Sequence, residues 1–526
     1  MKSVDLSVGL GLGLAALLGG TLAHAQSVDQ LWENNCLKCH GDRGQGGGAG
    51  TRTLLDESLR DLTGSDISRR FYDAIREGHE DQGMPAFGEA LTPAQSWALV
   101  NKIREFQEAA RRRAGNVAKP GAKGVYASKH HQYRVERVVE RGLDVPWGVA
   151  FITSANGDVP AGTMLITERP GSVFLHSTGK PGGRLSDRIR GTPEVRNRGQ
   201  GGMMEVAVHP RFAENGWIYL GYTERHEANG RDLGLTKVVR GRLKKTGDDW
   251  SWTDQQTIFE GDKEHYTRAD LHFGIRIAFD PADDSILYFA IGDRGEDPSR
   301  GAKQGAQDLT RPNGKVYRVK DDGSIPSDNP FVGTTAESGK VYEGIWSFGH
   351  RNPQGLTFDL NGNLWTTEHG PRGGDELNLV LKGRNYGWPI VSFGIQYSGV
   401  PFRTPWPDTQ GAEAQDKDIA MPTYVWLPSI GACGLDVARG PDAGGAGGQF
   451  PKWQGDLLAG GLSGQNVDRI RVRVQAEGQA AGAQVVEREE LIHFIGRVRD
   501  VVTGPDGSIY VVLNDPDSVI RLVNAG

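Results

Sequence analysis

Two hydrophobic rhythms divide the chain. Before about residue 110, apolar side chains recur every three or four positions, the spacing of one helix face. Ile67, Phe71 and Ile75 form one such stripe, in a helix expected to open at Ser65 and close at Gly78. Leu99, Ile103 and Phe106 form another, opened by Thr92-Pro93-Ala94-Gln95. Ser27-Val28-Asp29-Gln30 has the form of a capping box and predicts a helix running into Cys36. Residues 111 to 132 lose this rhythm. Arg111-Arg112-Arg113 leads into Gly, Ala, Lys and Pro, which reads as a linker with His130 and His131 exposed.

From about Tyr133 short strand-like runs alternate with turns. One unit recurs: strand residues ending on an apolar or Thr anchor, a turn, then a second strand. Copies include Gly148-Val149-Ala150-Phe151, Arg276-Ile277-Ala278-Phe279 and Gly355-Leu356-Thr357-Phe358, with anchors at 151, 208, 279, 358, 437 and 503. Asp280-Pro281, Asn361-Gly362-Asn363 and Pro505-Asp506-Gly507 supply turns after them. The pattern predicts an all-β domain over 133–526, a six-bladed β-propeller, preceded by a small all-α domain over 26–110. An open β array or two sandwiches is the alternative.

Composition agrees: 75 glycines and 37% hydrophobic residues favour a turn-rich β protein. A net charge of −6 gives no reason to expect nucleic acid. Residues 1–25 read as a signal peptide, with an apolar run from Val8 to Leu22 and Ala23-His24-Ala25 as the cleavage site. That run is short and glycine-rich for a membrane span, and nothing later approaches one. The expectation is a periplasmic or secreted protein with no span in the mature chain.

The first chemistry lies in Cys36-Leu37-Lys38-Cys39-His40. In CxxCH two thiols add to haem vinyl groups and the adjacent imidazole takes one axial iron position. Zinc would need a second Cys/His pair, and the only other cysteine is Cys433, expected to be a small buried residue. Met84, in Gly83-Met84-Pro85-Ala86-Phe87, falls between two predicted helices and is the candidate for the opposite axial position. This region resembles a class I cytochrome c, which implies haem c and electron transfer.

The second chemistry comes from phase. Gln200, His272, Arg351, Ser429 and Arg497 each precede an anchor by six to eight residues. If the anchor strands line a propeller axis, all five sit where those strands begin, at one mouth. Gly370 and Pro371 return to that mouth on the following strand. Arg351, Arg497 and Arg499 would make a seat for a polycarboxylate. His272, between Leu271 and Phe273, suits a base near neutral pKa.

Gly349-His350-Arg351-Asn352-Pro353-Gln354-Gly355-Leu356, His369-Gly370-Pro371, Asp375-Glu376-Leu377-Asn378-Leu379 and Asn385-Tyr386-Gly387-Trp388-Pro389 resemble the soluble quinoprotein aldose (glucose) sugar dehydrogenases. Arg198-Gly199-Gln200-Gly201-Gly202 and Gly496-Arg497-Val498-Arg499-Asp500 add to the resemblance, which covers about 134–526. It implies a six-bladed propeller carrying pyrroloquinoline quinone (PQQ) and Ca²⁺. It implies His272 as general base and Gln200 as a substrate-orienting neighbour. Arg351, Asn352, Ser429, Arg497 and Arg499 would contact PQQ, with Arg351 also polarising the quinone oxygens. The carbonyls of Gly370 and Pro371 would bind the catalytic calcium, and Glu376 with the Tyr386 carbonyl a structural one. Two departures stand out. Gly461-Leu462-Ser463-Gly464-Gln465 lacks the Lys that usually touches PQQ, and Leu271 replaces the Asp found before the base in the glucose enzymes.

The implied reaction is oxidation of an aldose at its anomeric carbon to a lactone. Electrons would pass through haem c to a downstream cytochrome, copper protein or oxidase. A PQQ enzyme for another aldehyde, sorbosone-like, is one alternative. A non-enzymatic haem protein with the propeller as a docking module is the other.

Overall fold

The computed structural model describes residues 26–47, 52–59, 66–295, 305–402, 419–440, 449–475 and 482–526. The expected signal peptide and Ser65 lie outside them. Four helices come first: α1 (Val28–Asn35), α2 (Leu37–His40), α3 (Asp66–Glu77) and α4 (Pro93–Arg113). Ser27 and Gln30 cap α1 reciprocally, and Thr92 and Gln95 cap α4, as their spacing predicts. Leu31, Trp32, Ile75, Trp97, Leu99 and Ile103 face inward and share one buried cluster. Among the described residues, no helix is long and apolar enough to cross a membrane.

A six-bladed β-propeller follows. Its inner strands are Pro146–Phe151, Met203–Val208, Ile277–Phe279, Pro353–Phe358, Ala432–Val437 and Arg497–Thr503. Each ends on one of the six predicted anchors. Each blade adds antiparallel strands outward, for example Leu364–Glu368, Asp375–Leu379 and Tyr424–Trp426 in the fourth. The cores lie between blades, where buried side chains from neighbouring sheets interlock. Tyr219, Phe289 and Tyr317 belong to one such layer and Trp365, Trp426 and Leu457 to another.

Both ends of the propeller sequence build the sixth blade. Outside Arg497–Thr503 and Ile509–Asn514 lies Ser518–Asn524, then Gln132–Val139, then Val125–Ala127. Val135 faces Leu522 and Arg137 faces Ile520 across the join. Pairing distant segments closes the ring, so no blade is left as a loose edge.

This closure corrects the linker expectation for 111–132. α4 continues through Arg113, and Val125–Ala127 is the outermost strand of the sixth blade. The Arg111 guanidinium lies 2.9 Å from the Glu490 carboxylate, which also accepts the Ala118 N–H at 2.9 Å. His130 and His131 are half-buried: His130 sits 3.1 Å from Glu487, and His131 packs edge-on against Trp453. A polar edge strand carries little alternation, so its sequence resembles a tether.

Leu522 is fully buried in the closing strand. Leu522→Ala is expected to destabilise the propeller by about 2–5 kcal/mol. Urea unfolding followed by tryptophan fluorescence measures it, and an unchanged midpoint would mean that this join contributes nothing.

Candidate active site and haem site

α2 carries Cys39 and His40, with Cys36 at its N-cap. Burial, with the neighbouring Cys39, pushes the Cys36 thiol up to about 12. Burial also holds the His40 imidazole below its usual value, and its Nδ1 is buried without a hydrogen-bond partner. Met84 lies between α3 and α4 as expected, its backbone bridged to His79. Its side chain packs on the helical core together with Leu54, Phe71, Phe87 and Phe106. Two thiols, an unpartnered imidazole and a thioether within an apolar wall fit a covalently attached haem.

The predicted mouth exists. A cavity of ≈ 510 Å³ opens where the inner strands begin, lined by Gln200, Asn352, Gly370, Pro371, Ser429, Arg497 and Arg499, with Trp147 and His369 beside them. His272 joins through its N–H, which donates to Gln200 Oε1 at 2.9 Å. Arg351 joins through Nη1, which donates to the carbonyls of Gly370 (2.7 Å) and His369 (3.0 Å).

His272 adopts φ +54°, a left-handed backbone that few non-glycine residues take. Its Nδ1 lies 2.6 Å from Asp293 Oδ1. Asp293 is fully buried, and Trp388 Nε1 donates to its other oxygen at 2.6 Å. A carboxylate on Nδ1 selects the tautomer with a free Nε2 lone pair, the form a base needs. Burial lowers the His272 pKa, Asp293 opposes that shift, and the Arg351 charge adds to it; the net direction is down. For Asp293 burial acts upward, but the His272 and Arg351 charges outweigh it and hold the carboxylate below its usual value.

Asp293 was missed by the sequence reading. It follows the return strand Ile286–Ile291, which runs back to the mouth as the strand before Gly370 and Pro371 does. His369 entered only as part of a motif. Burial, then Arg351, holds its pKa at about 3, so it presents a neutral imidazole whose buried Nε2 has no partner.

The cation cluster is present. Arg499 stacks 3.9 Å over the Trp147 ring, and Arg351 5.1 Å over Trp388. Among the described residues, no carboxylate stands in ion-pair contact with Arg351, Arg497 or Arg499, and only the charge of Arg351 reaches one, Asp293. Asn352 Nδ2 is buried and unpartnered. Uncompensated guanidinium groups and orphaned donors around one cavity fit a polyanionic ligand such as PQQ. Leu462 and Ser463 line the wall where the family Lys would stand, and Leu271 is exposed beside His272.

Gly370 and Pro371 both line this cavity, and each carbonyl accepts a hydrogen bond from a side chain there. Arg351 caps the first, and the Ser429 hydroxyl donates to the second at 3.2 Å. Asp375 steadies them by accepting the N–H groups of Gly370 (2.9 Å), Ile430 (3.0 Å) and Ala432 (2.8 Å). Adjacent carbonyl oxygens that attract a guanidinium fit a hard cation equally well. Glu376 lies opposite Glu368, and Asn378 Nδ2 donates to both carboxylates at 3.0 and 2.8 Å. Burial and then Glu368 push the Glu376 pKa well up. Tyr386 stacks on His350, whose Nδ1 is 3.1 Å from Glu368. Two buried carboxylates side by side suit a second hard cation.

This propeller, with an imidazole–carboxylate pair at an arginine-rich mouth and a CxxCH helical unit attached, defines a cytochrome-linked oxidoreductase. Residues 143–522 match the Glucose / Sorbosone dehydrogenase family, and the chain belongs to it. Residues 23–101 match the cytochrome family described as cytochrome c oxidase, cbb3-type, subunit III. The aldose sugar dehydrogenase YliI of Escherichia coli is 37% identical over 74% of this chain and 92% of its own. Quinoprotein glucose dehydrogenase B of Acinetobacter calcoaceticus is 27% identical over 68% of this chain and 81% of its own. The solved apo form of the soluble Escherichia coli aldose sugar dehydrogenase superposes with a TM-score of 0.59 at 33% identity, covering 74% of this chain and 99% of that one.

His272 is expected to titrate below 6.5 in NMR of histidine-labelled protein, remaining neutral until the pH falls beneath its ordinary range. Asp293→Asn removes the group that raises this pKa, so titration moves further down. A titration at or above 6.5 in the unmodified protein contradicts the assignment.

Proposed function

We propose that the protein is an exported quinohaemoprotein that oxidises aldose sugars at the anomeric carbon to lactones. The mouth would hold PQQ, the Gly370 and Pro371 carbonyls Ca²⁺, and the CxxCH unit a haem c to take up the electrons. The observation that carries this reading is that the His272–Asp293 pair and Arg351 are hydrogen-bonded to residues lining the cavity that Arg497 and Arg499 also line, in a chain of this family.

Bound PQQ would supply a hydride acceptor, and bound Ca²⁺ a Lewis acid beside it. The chain's own residues would do the rest. Arg497, Arg499 and Ser429 would hold the cofactor's carboxylates, and Asn352 and Arg351 would offer donors to its quinone oxygens. His272 Nε2 takes the anomeric hydroxyl proton while Asp293 keeps the ring oriented and stabilises its positive charge. Gln200 gives its carbonyl to the His272 N–H, which leaves its amide NH₂ to orient substrate. His369 stays neutral and adds no charge against the arginines. Glu376 and the Tyr386 carbonyl would hold the second Ca²⁺. Cys36 and Cys39 would tether the haem, and His40 and Met84 would ligate its iron.

One observation favours a second substrate class. Leu271 puts an exposed apolar surface beside the base, which suits a less hydroxylated aldehyde of the sorbosone type. Covalent haem attachment and the N-terminal segment support export. The electrons leave to a downstream cytochrome, copper protein or oxidase.

Adding PQQ, Ca²⁺ and an aldose to the purified haem protein is expected to reduce the haem, read from its α-band. Omitting PQQ abolishes this. His272→Ala slows it by about 10²–10⁴-fold. Absence of reduction across aldoses and sorbosone-type aldehydes sinks the dehydrogenase reading, and an undiminished rate in His272→Ala removes the base.

A further inference from the structure

The helical domain is bonded to the turn that carries Gly370 and Pro371. Trp97, Asn101 and Glu105 stand four residues apart on one face of α4. Trp97 Nε1 and Asn101 Nδ2 both donate to the Phe393 carbonyl, at 2.8 and 3.2 Å. Glu105 accepts two hydrogen bonds from the Arg372 guanidinium, at 2.7 and 2.8 Å. Gly373 has φ +80°, and a Cβ there would lie 2.2 Å from Asn101 Oδ1, so backbone and helix meet without room for a side chain. Glu105, Arg372 and Gly373 line the same ≈ 510 Å³ cavity as Gly370 and Pro371.

Two anchors therefore bracket Pro371. On the propeller side Asp375 holds the Gly370 N–H. On the helical side Glu105 holds the side chain of Arg372, the next residue along, whose backbone is also bridged to Ile395. A bidentate carboxylate–guanidinium pair fixes orientation as well as distance, and here both partners are about three-quarters shielded from water, at 24% and 27% exposure. A cation seat made of backbone oxygens has no ligand side chain to adjust, so its geometry depends on what holds the backbone.

We propose that α4 is part of the cofactor seat: Glu105 is a positioning residue which, through Arg372, fixes the Gly370 and Pro371 carbonyls, so that cation and quinone bind fully only with the helical domain docked. This rests on reading the cavity as a PQQ and Ca²⁺ site. Its consequence is that the electron acceptor domain also organises the site that feeds it.

The test uses the full-length haem protein, free of PQQ, without sugar. The Ca²⁺ concentration for half-maximal PQQ uptake is measured by equilibrium dialysis for the unmodified protein, Glu105→Gln, Glu490→Gln and the double variant Glu105→Arg/Arg372→Glu. Haem content and α-band position monitor folding of the helical domain. Glu105→Gln is expected to raise the required Ca²⁺ by about tenfold, the scale of lost outer-shell support. The swapped pair restores part of this. Glu490→Gln removes the Arg111 ion pair of the same interface, away from the turn, and leaves the value unchanged. No shift in Glu105→Gln, or an equal shift in Glu490→Gln, overturns the positioning role. An unmodified protein that takes up no PQQ at any Ca²⁺ concentration instead removes the quinoprotein reading beneath it.

Discussion

Six inner strands running the same way around one axis must begin at the same end. That constraint is what brings residues from 200 to 499 to one cavity. No local sequence feature draws Gln200 toward Arg497. Ring closure does, through strands that pair Val135 with Leu522. The site is therefore a property of topology first and of side-chain chemistry second.

Beneath the mouth the axis is filled with charge rather than hydrocarbon. Arg276 is buried between Glu205 at 2.5 Å and Asp500 at 3.1 Å, and burial raises the pKa of both acids. The same guanidinium donates to the carbonyls of Gln354 (2.9 Å) and Arg499 (2.8 Å). A buried ion cluster of this kind adds little net stability but fixes geometry, because removing one partner leaves the others unpaired. Here it fixes the backbone of Arg499, and Cys433 joins the same floor by donating its thiol to the Arg499 carbonyl at 2.9 Å. The expectation of a merely small, buried Cys433 describes its burial and leaves out that contact.

Much of this was legible in the sequence, for identifiable reasons. Strand ends were marked by turn residues, so the anchors at Phe151, Val208, Phe279, Phe358, Val437 and Thr503 coincide with the ends of the inner strands. Helix starts were marked by side chains that cap them, so Ser27 and Thr92 could be read directly. Asp293 was hidden because its partner lies on a separate loop and its own neighbourhood, Gly292-Asp293-Arg294-Gly295, looks like an ordinary turn. The docked face of α4 was hidden for a different reason. Trp97 and Asn101 lie off the Leu99, Ile103 and Phe106 stripe that the periodicity marks, and only the position of Phe393 shows that both serve an interface. Long-range contacts of this sort leave no periodicity to detect.

The shared sixth blade also orders the events of biosynthesis. Gln132–Val139 emerges from the ribosome long before Ser518–Asn524, the partner that covers it. Until that partner arrives, the ring has no seal and its early strand waits with one hydrogen-bonding edge bare. The mouth therefore takes its final shape only once the last strand of the chain has paired with one of the first.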